Sequence, residues 1–291
     1  MEIKDSININ SVVVSVLMIT YNQEKYIAKA IEGVLMQETD FSFELIISND
    51  ASTDSTMDVV GNLVKSHPGG NLIKCFDHKI NMGMKSNFVF SLNQCVGRYI
   101  AMCDGDDYWT DPAKLQKQVD FLEAKEDYSL CFHQTITLYE DGTELLYNNF
   151  TEDTQFEFLD LVQRPFISTV SSLFKNPNPL PAWFAGIASD WPLFLHVASQ
   201  GKLYYMKDCM AVYRRHSEGV WSSLTNDEKY NNTMGLLTKL DAAFNLEYHS
   251  YFERAKQLRH EIHYPPASVP VKTPLLFRIK RKIKTLLFPG N

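Results

Sequence analysis

The feature that most constrains this chain is an alternation of strand-like and helix-like patterns between residues 12 and 127. Residues 12–19 are an almost continuous run of apolar, mostly β-branched side chains, which is typical of a strand buried on both faces of a parallel sheet. Apolar residues at helical spacing follow, and the same succession recurs further along the chain. The alternation predicts βαβ units with right-handed crossovers, and therefore an α/β fold with a mostly parallel sheet flanked by helices.

A short apolar strand pattern within residues 98–112 ends on three carboxylates, Asp104, Asp106 and Asp107. This position is the carboxyl end of a strand, where open α/β sheets bind their ligands. Like charges this close repel one another, and a divalent cation held by carboxylates and phosphate oxygens would relieve the repulsion. Gly105 leaves room for the close approach of a ligand. The alternative is a solvated acidic turn.

Two earlier strand patterns also end in polar residues, at 20–22 and at 50–54. Three polar strand ends at one edge of a sheet predict a ligand-binding crevice there. Each group also has a simple structural interpretation, because Asn22 and Ser52 could be helix N-caps and Asp54 a favourable acid in a first helical turn. No Gly-x-Gly-x-x-Gly or Walker-type loop follows the first strand, so dinucleotide oxidoreductases and P-loop enzymes fit poorly.

Composition narrows the class of protein further. Of the 291 residues, 45% are hydrophobic and 22% are charged, which is ordinary for a globular protein with a real core. Five scattered cysteines without a Cys-x-x-Cys pair, and no signal peptide, predict reduced thiols in the cytoplasm. No apolar run reaches the roughly 20 residues that span a bilayer. A net charge of −7 argues against nucleic acid as a partner.

Four segments, taken as an ordered set, resemble glycosyltransferase family 2: residues 14–22, residues 49–54, the Asn81-x-Gly83 turn and residues 97–107. The resemblance covers about residues 12–222. It implies an inverting enzyme of GT-A fold that uses a nucleotide-diphosphate sugar, with a UDP-sugar as the leading expectation. The acceptor expected for such an enzyme is a glycan or a lipid-linked saccharide of the cell surface.

The resemblance also implies roles for individual residues. Thr20, Tyr21 and Asp50 would contact the base, with Asn22 also in the donor site, while Asp104 would contact the ribose. Asp106 would bind the Mn²⁺ or Mg²⁺ ion on the diphosphate. These residues form the expected donor half of the site.

The expected acceptor half lies in the second part of the chain. Ser189, Asp190, Trp191 and Pro192 open a helix, and the family places its catalytic base at an acid here, which makes Asp190 the candidate. Ser189 departs from the usual residue before that acid, and the simpler interpretation of Asp190 is an N-cap. Related enzymes have a metal-binding histidine at the position of His216, next to a basic residue, Arg215, that can stabilise the diphosphate. A structural histidine is the alternative.

The predicted organisation is a GT-A domain over residues 1–222, with a nucleotide-binding half (about 1–127) and an acceptor half (128–222). A helical extension follows over residues 223–264, which could cover the domain or pair with a second subunit as a homodimer. Residues 265–291 form a basic amphipathic tail, which suits either an anionic membrane surface or packing on protein. We therefore expect a cytoplasmic protein that could be peripheral at the inner face of the membrane.

The sequence thus predicts a metal-dependent inverting glycosyltransferase with Asp190 as general base. A sugar-nucleotide-forming nucleotidyltransferase fits less well, because the Gly-rich basic loop of those enzymes is missing after the first strand. A catalytically inactive nucleotide-sugar-binding or scaffolding protein of the same fold is the alternative of another class. It would be favoured if Asp190 lay far from the donor site.

Overall fold

The computed structural model of the protein describes residues 12–148 and 150–265. The first half contains β1 (Val14–Thr20), α1 (Ile27–Leu35), β2 (Phe43–Asn49), α2 (Thr56–Ser66), β3 (Ile73–Asp77), α3 (Met84–Gln94), β4 (Tyr99–Met102), β5 (Tyr108–Trp109) and α4 (Lys114–Ala124). The second half contains β6 (Tyr128–Tyr139), β7 (Glu144–Leu146), β8 (Thr154–Phe156), α5 (Phe158–Gln163), β9 (Leu173–Lys175), α6 (Phe184–Ile187), α7 (Asp190–Ala198), β10 (Lys202–Arg215), α8 (Asn226–Ala243) and α9 (His249–His263).

One sheet runs through the domain in the order β3-β2-β1-β4-β9-β6-β10-β5, with β7 paired to β6 and β8 to β10. Strands β1 to β4 are mutually parallel where they pair, which confirms the α/β prediction for the first half of the chain. The second half is mixed, because β9 runs antiparallel to both of its neighbours while β6 and β10 are parallel. Helices cover both faces, and a separate apolar core fills each interface.

The secondary structure differs from the predicted one in a segment rich in serine and threonine. Residues 166–174 read as a strand, but only Leu173–Lys175 pairs, and a 3₁₀ turn covers Thr169–Ser171. Ser171 and Ser172 donate hydroxyl hydrogen bonds to the carbonyl oxygens of Ser168 and Thr169. Such local bonds compete with the strand ladder, so the segment turns instead of extending.

Two predicted helix starts also shift. The sequence predicts one short helix over residues 154–163, ending before Pro165, but Glu157 and Asp160 form a capping box that begins α5 at Phe158. Asp111 followed by Pro112 predicts a helix N-cap at Asp111, but this prediction is wrong, since α4 begins at Lys114. Asp111 Oδ1 instead accepts a hydrogen bond from the Ala113 N–H in the turn before the helix, at 2.8 Å.

The predicted helical extension is present as two helices. The Thr225-x-x-Glu228 pattern predicts a capping box, and the two residues form it at the start of α8. Asn245 and Leu246 have left-handed backbone conformations, with φ of 55° and 60°, and they separate α8 from α9. Apolar residues of both helices are buried against the domain, including Leu240 and Phe252, so the extension covers the domain. Pairing with a second subunit remains a prediction.

None of the helices within residues 12–148 and 150–265 combines the length and the apolar character needed to cross a membrane. Of the predicted basic tail, residues 265–291, only Pro265 is among the described residues. Membrane binding by the tail therefore stays a prediction.

The core contains one fully buried lysine, Lys114. Its Nζ donates to Gln118 Oε1 at 2.7 Å and lies 4.0 Å from the centroid of the Trp109 ring. Burial lowers the pKa of this ammonium group to about 7, because the charged form is poorly solvated there.

The depressed pKa of Lys114 predicts a specific pH dependence of stability. Above pH 7 the unfolded chain holds a proton on this lysine that the folded chain does not, so the free energy of unfolding should rise with pH. We expect this group to add about 1.5 kcal/mol between roughly pH 7 and 8.5. Urea unfolding of wild type and Lys114→Met at both pH values measures it. Equal pH slopes for the two proteins would show that Lys114 is not the source.

Candidate active site

The acidic segment, residues 104–107, lies between β4 and β5, as the sequence predicts. Asp107 is buried, and Asp104 Oδ1 is buried without a hydrogen-bond partner among the described residues. Burial raises the pKa of Asp104 to about 8, and the charges of Asp106 and Asp190 add to the effect. Burial and the charges of Asp106 and Asp104 raise the pKa of Asp107 well above its usual range, although Arg214 opposes the shift. A bound cation would relieve this concentration of negative charge.

The structure brings the two predicted metal ligands together across 110 residues of sequence. His216 Nε2 lies 3.1 Å from Asp106 Oδ2. His216 follows β10 and is nearly buried, and its Nδ1 has no hydrogen-bond partner within the described part of the chain. The hydrogen bond to Asp106 raises the pKa of the imidazole, while burial opposes the shift. Imidazole nitrogen and carboxylate oxygen suit Mn²⁺, which also accepts phosphate oxygens as further ligands.

Gly105 has a packing role besides the one expected. A Cβ atom at this position would come within 3.0 Å of Thr20 Oγ1 and would also meet Gln23 and Ile27. The missing side chain therefore lets the acidic segment pack against the end of β1. That it also makes room for the close approach of a ligand stays a prediction.

The end of β1 forms the predicted donor side. Thr20 is buried and donates its hydroxyl hydrogen bond to Gln23 Oε1 at 2.7 Å. Asn22 has a left-handed backbone, with φ of 54°, and its Oδ1 accepts from the Thr53 N–H at 2.8 Å. The Tyr21 side chain is 47% exposed. Thr20 and Asn22 thus hold the loop together, and both Tyr21 and Asn22 are exposed.

Asp50 joins a further loop to the same edge of the sheet. Its carboxylate is buried, and Oδ1 accepts a hydrogen bond from the Met82 N–H at 2.7 Å. This bond fixes the Asn81-x-Gly83 turn beside the end of β2, where Gly83 has a positive φ of 82°. The polar residues that follow β1, β2 and β4 therefore line one edge, as predicted.

Asp190 opens α7, and its charge contributes to the raised pKa of Asp104 in the acidic segment. Ser189, with φ of −166°, is the N-cap residue of α7, so the interpretation of Asp190 as the N-cap is wrong. Asp190 Oδ2 accepts a hydrogen bond from Thr169 Oγ1 at 2.9 Å, and Oδ1 accepts from the Trp191 N–H at 2.7 Å. Thr169 thus orients the carboxylate and was missed by sequence reasoning.

The two arginines before His216 face different surroundings. Arg215 lines a cleft of about 360 Å³ together with His216, Tyr139 and Glu140. Arg214 contacts the acidic segment through two hydrogen bonds. Its backbone N–H donates to Asp107 Oδ1 at 2.8 Å, and its Nη1 donates to the Asp106 carbonyl oxygen at 2.6 Å.

The Arg214 guanidinium also lies 4.3 Å from the centroid of the Tyr108 ring. Arg214 was not among the predicted residues. Strand periodicity could have indicated Arg214. Residues two apart on a strand lie on the same face of the sheet, and Arg214 precedes His216 by two positions.

We expect Arg214→Met to weaken metal-dependent nucleotide binding about tenfold, because a hydrogen bond to the segment that carries Asp106 contributes roughly 1–1.5 kcal/mol. Titration calorimetry with UDP and MnCl₂ measures the change. Arg254→Met is the matched control, since Arg254 is an exposed arginine of α9 whose one side-chain hydrogen bond within the described ranges is to Gln257. Wild-type affinity in Arg214→Met would contradict a positioning role.

Comparison with known proteins decides the family. The model of the family "Glycosyl transferase family 2" matches residues 15–175, which is more than half of the chain. The chain belongs to glycosyltransferase family 2.

The Mycobacterium tuberculosis protein Rv1520 is 36% identical over 255 residues, covering 82% of this chain and 70% of its own length. The Escherichia coli glucosyltransferase WfaP, whose name gives a GlcNAc-diphosphoundecaprenol substrate, is 33% identical over 39% of this chain and 42% of its own.

Solved structures confirm the GT-A fold of this family 2 glycosyltransferase. Staphylococcus aureus TarS 1–349, in complex with UDP-GlcNAc, superposes with a TM-score of 0.65 at 19% identity over 86% of this chain and 72% of TarS. The Pyrobaculum calidifontis mannosyltransferase PcManGT, in complex with GDP-Man and Mn²⁺, gives a TM-score of 0.54 at 13% identity over 94% of this chain and 80% of its own.

Proposed function

We propose that this glycosyltransferase is metal-dependent and inverting, and that it moves a sugar from a nucleotide-diphosphate sugar to an acceptor hydroxyl. The observation that carries the proposal is the pairing of Asp106 with His216, whose facing atoms are 3.1 Å apart, in the same acidic segment as Asp104, whose Oδ1 is buried without a hydrogen-bond partner among the described residues. The charge of Asp190 adds to the raised pKa of Asp104, which supports placing the proposed base on this side of the sheet. TarS with UDP-GlcNAc and PcManGT with GDP-Man and Mn²⁺ support the donor class and the divalent cation.

Asp106 and His216 would hold the metal ion, Mn²⁺ or Mg²⁺. When bound, the ion supplies positive charge against the diphosphate. Arg215, on the wall of the adjoining cleft, would add a second positive charge on the leaving group. Tyr21, Asn22, Thr20 and Asp50 would form the surroundings of the base, and Asp104 would contact the ribose.

Asp190 would act as general base. Its carboxylate takes the proton of the acceptor hydroxyl as that oxygen attacks the anomeric carbon. The new bond forms on the face opposite the diphosphate, whose oxygen leaves with the bonding electron pair, so the anomeric configuration inverts. Thr169 orients Asp190 by donating a hydrogen bond to its Oδ2. The other carboxylate oxygen, Oδ1, accepts the Trp191 N–H at the start of α7.

A screen of donors tests the proposal. The purified protein is incubated with UDP-glucose, UDP-GlcNAc, UDP-galactose or GDP-mannose in MnCl₂ and with simple glycoside acceptors, and released nucleotide and product configuration are measured. We expect turnover of at least one donor, loss of turnover in EDTA and inverted product. Tight donor binding without turnover of any donor would instead favour the catalytically inactive alternative, and a retained configuration would overturn the inverting mechanism.

WfaP, whose substrate is lipid-linked, supports a saccharide acceptor on a lipid carrier. For the present chain we propose the same broad class, a glycan or lipid-linked saccharide. The predicted tail would bring the enzyme to an anionic membrane surface. Flotation with anionic vesicles, comparing the full chain with a version ending at residue 271, tests that part.

A further inference from the structure

The turn between α8 and α9 brings together one histidine and two carboxylates: Asp241, His249 and Glu253. Asp241 lies near the end of α8, and His249 is the first residue of α9. Glu253 follows His249 by four positions, and residues four apart on a helix are neighbours on one face. The Leu246 N–H donates to the Asp241 carbonyl oxygen at 3.0 Å, so the chain reverses here and places Asp241 beside that face.

The ligand-type atoms of these three side chains all lie within 4.8 Å of one another. Within residues 12–148 and 150–265, this is the one group of three or more histidine, cysteine, aspartate or glutamate side chains that come so close. Its members do not belong to the proposed donor site. The group therefore needs an explanation of its own.

The Asp241 carboxylate is deeply buried, and only one of its two oxygens has a partner. The side chain is 5% exposed, and Oδ2 lies 2.6 Å from His249 Nδ1. Oδ1 is buried and has no hydrogen-bond partner in the part of the chain that the structure describes. A buried carboxylate is costly unless it is paired, hydrogen-bonded or bound to a metal ion. The contact with His249 satisfies one oxygen, and a cation at the same place would satisfy both.

The other two members of the group can adjust to a bound ion. The side chain of His249 is 58% exposed and that of Glu253 is 51% exposed. Glu253 Oε1 pairs with Lys256 Nζ at 2.7 Å, and the second oxygen, Oε2, can act as a ligand. With the imidazole neutral, these four side chains carry two negative charges and one positive charge. A divalent cation would therefore meet a net negative site.

We propose that Asp241, His249 and Glu253 form a second metal site, which binds one Zn²⁺ ion through His249 Nδ1 and one oxygen of each carboxylate, with water completing the coordination. The inference is independent of the proposed function. Zinc accepts imidazole nitrogen and carboxylate oxygen at about 2.0–2.2 Å, usually with four ligands in all. Mg²⁺ prefers an octahedral set of oxygens, so the imidazole favours zinc over magnesium.

A zinc ion here would fasten a turn that packs on the glycosyltransferase domain. The rings of Phe244 and Tyr248, within this turn, lie with their centroids 5.1 and 4.6 Å from that of Phe158 on α5. Ligands from both α8 and α9 would join the two helices at the point where they contact α5. Such a role matches structural zinc sites, in which the metal stabilises the fold.

Titration calorimetry with ZnCl₂, without nucleotide, tests the site on the full chain carrying Asp106→Asn and no histidine tag. This background removes a proposed ligand of the donor site, so that zinc at the donor site does not contribute. We expect one Zn²⁺ per chain and weaker binding of Mg²⁺ from MgCl₂. His249→Ala should weaken zinc binding at least about a hundredfold, because even outer-shell partners of metal ligands contribute 10–100-fold. Glu253→Gln, which keeps the shape of the side chain, should also weaken it.

The matched control is His263→Ala. His263 also joins α9 to a carboxylate of α8, since its Nε2 lies 2.9 Å from Asp227 Oδ1, but the pair belongs to no group of three within the described residues. This variant should keep the zinc affinity of the background chain. Long-range ¹H–¹⁵N spectra of the histidine rings give a second readout, in which zinc should shift the Nδ1 signal of His249.

Three outcomes would overturn the proposal: no zinc binding, equal losses of affinity in His249→Ala and His263→Ala, or an unchanged Nδ1 signal of His249 in saturating zinc. The contact between Asp241 and His249 would then be a hydrogen bond only. Equal affinity for Zn²⁺ and Mg²⁺ would overturn the assignment of the metal. None of these measurements uses nucleotide or turnover, so they leave the proposed function untouched.

Discussion

Replacement of Asp190 by asparagine is expected to reduce sugar transfer at least about a hundredfold, because loss of a general base typically costs 10²–10⁴ in rate. Asparagine has nearly the same shape, and its amide oxygen can still accept the Trp191 N–H while its NH₂ group donates to Thr169 Oγ1. The melting temperature should therefore stay close to wild type. Nucleotide and metal affinity should also be unchanged, since Asp190 is outside the Asp106–His216 pair.

Asp160→Asn is the matched control for this change. Asp160 also lies in the first turn of a helix, and it accepts a backbone hydrogen bond from Glu157 at 2.9 Å, but it belongs to the capping box of α5. Both variants alter a helix-start carboxylate, and only Asp190→Asn removes the proposed base. Wild-type transfer in Asp190→Asn would place the base elsewhere, with the carboxylates of the acidic segment the next candidates.

Replacement of Asp106 by alanine or asparagine is expected to reduce turnover about a thousandfold or more, because charge stabilisation by a bound metal ion contributes several kcal/mol. The protein without ligand should keep a melting temperature close to wild type, because the lost hydrogen bond to His216 is offset by relief of the repulsion among the carboxylates. Asp106 adds to the repulsion that raises the pKa of Asp104, and neutralising it lowers that repulsion. We therefore expect turnover assays to show a large loss of activity and thermal unfolding to show no loss of stability.

The matched control for Asp106 is Asp208→Asn on β10, the strand that leads to His216. Asp208 pairs with Lys117 at 3.0 Å on the surface. Exposed pairs of this kind contribute about 0–1 kcal/mol, so turnover should be unaffected. Equal losses in the two variants would show that the effect of Asp106 is not specific to the site.

The edge of the sheet that carries the site could be predicted from sequence, because the carboxyl ends of parallel strands meet there whatever the details of the loops. The Asp106–His216 pair could not be derived from spacing, since the two residues are 110 positions apart, and it came from the resemblance to family 2. Arg214 was missed because Arg215 was selected next to the histidine without use of strand alternation.

The secondary structure was predicted wrongly where local hydrogen bonds from side chains override the hydrophobic pattern of the sequence. Ser171 and Ser172 bond to the preceding turn and disrupt an apparently extended segment, and residues 245–246 adopt left-handed conformations inside an apparently continuous helix. The Thr169–Asp190 bond joins two such irregular segments. No periodicity predicts contacts of this type, because they depend on tertiary packing.

Calorimetric titration of the wild-type protein with UDP and with GDP, in MnCl₂ and in EDTA, tests the central claim most directly. The proposed site has two metal ligands beside unrelieved negative charge, so a diphosphate should bind poorly without a cation between them. We predict that at least one nucleotide binds ten times or so more tightly in MnCl₂ than in EDTA, and that Asp106→Ala removes the difference. Equal affinity in the two conditions would contradict a metal-dependent donor site at the acidic segment.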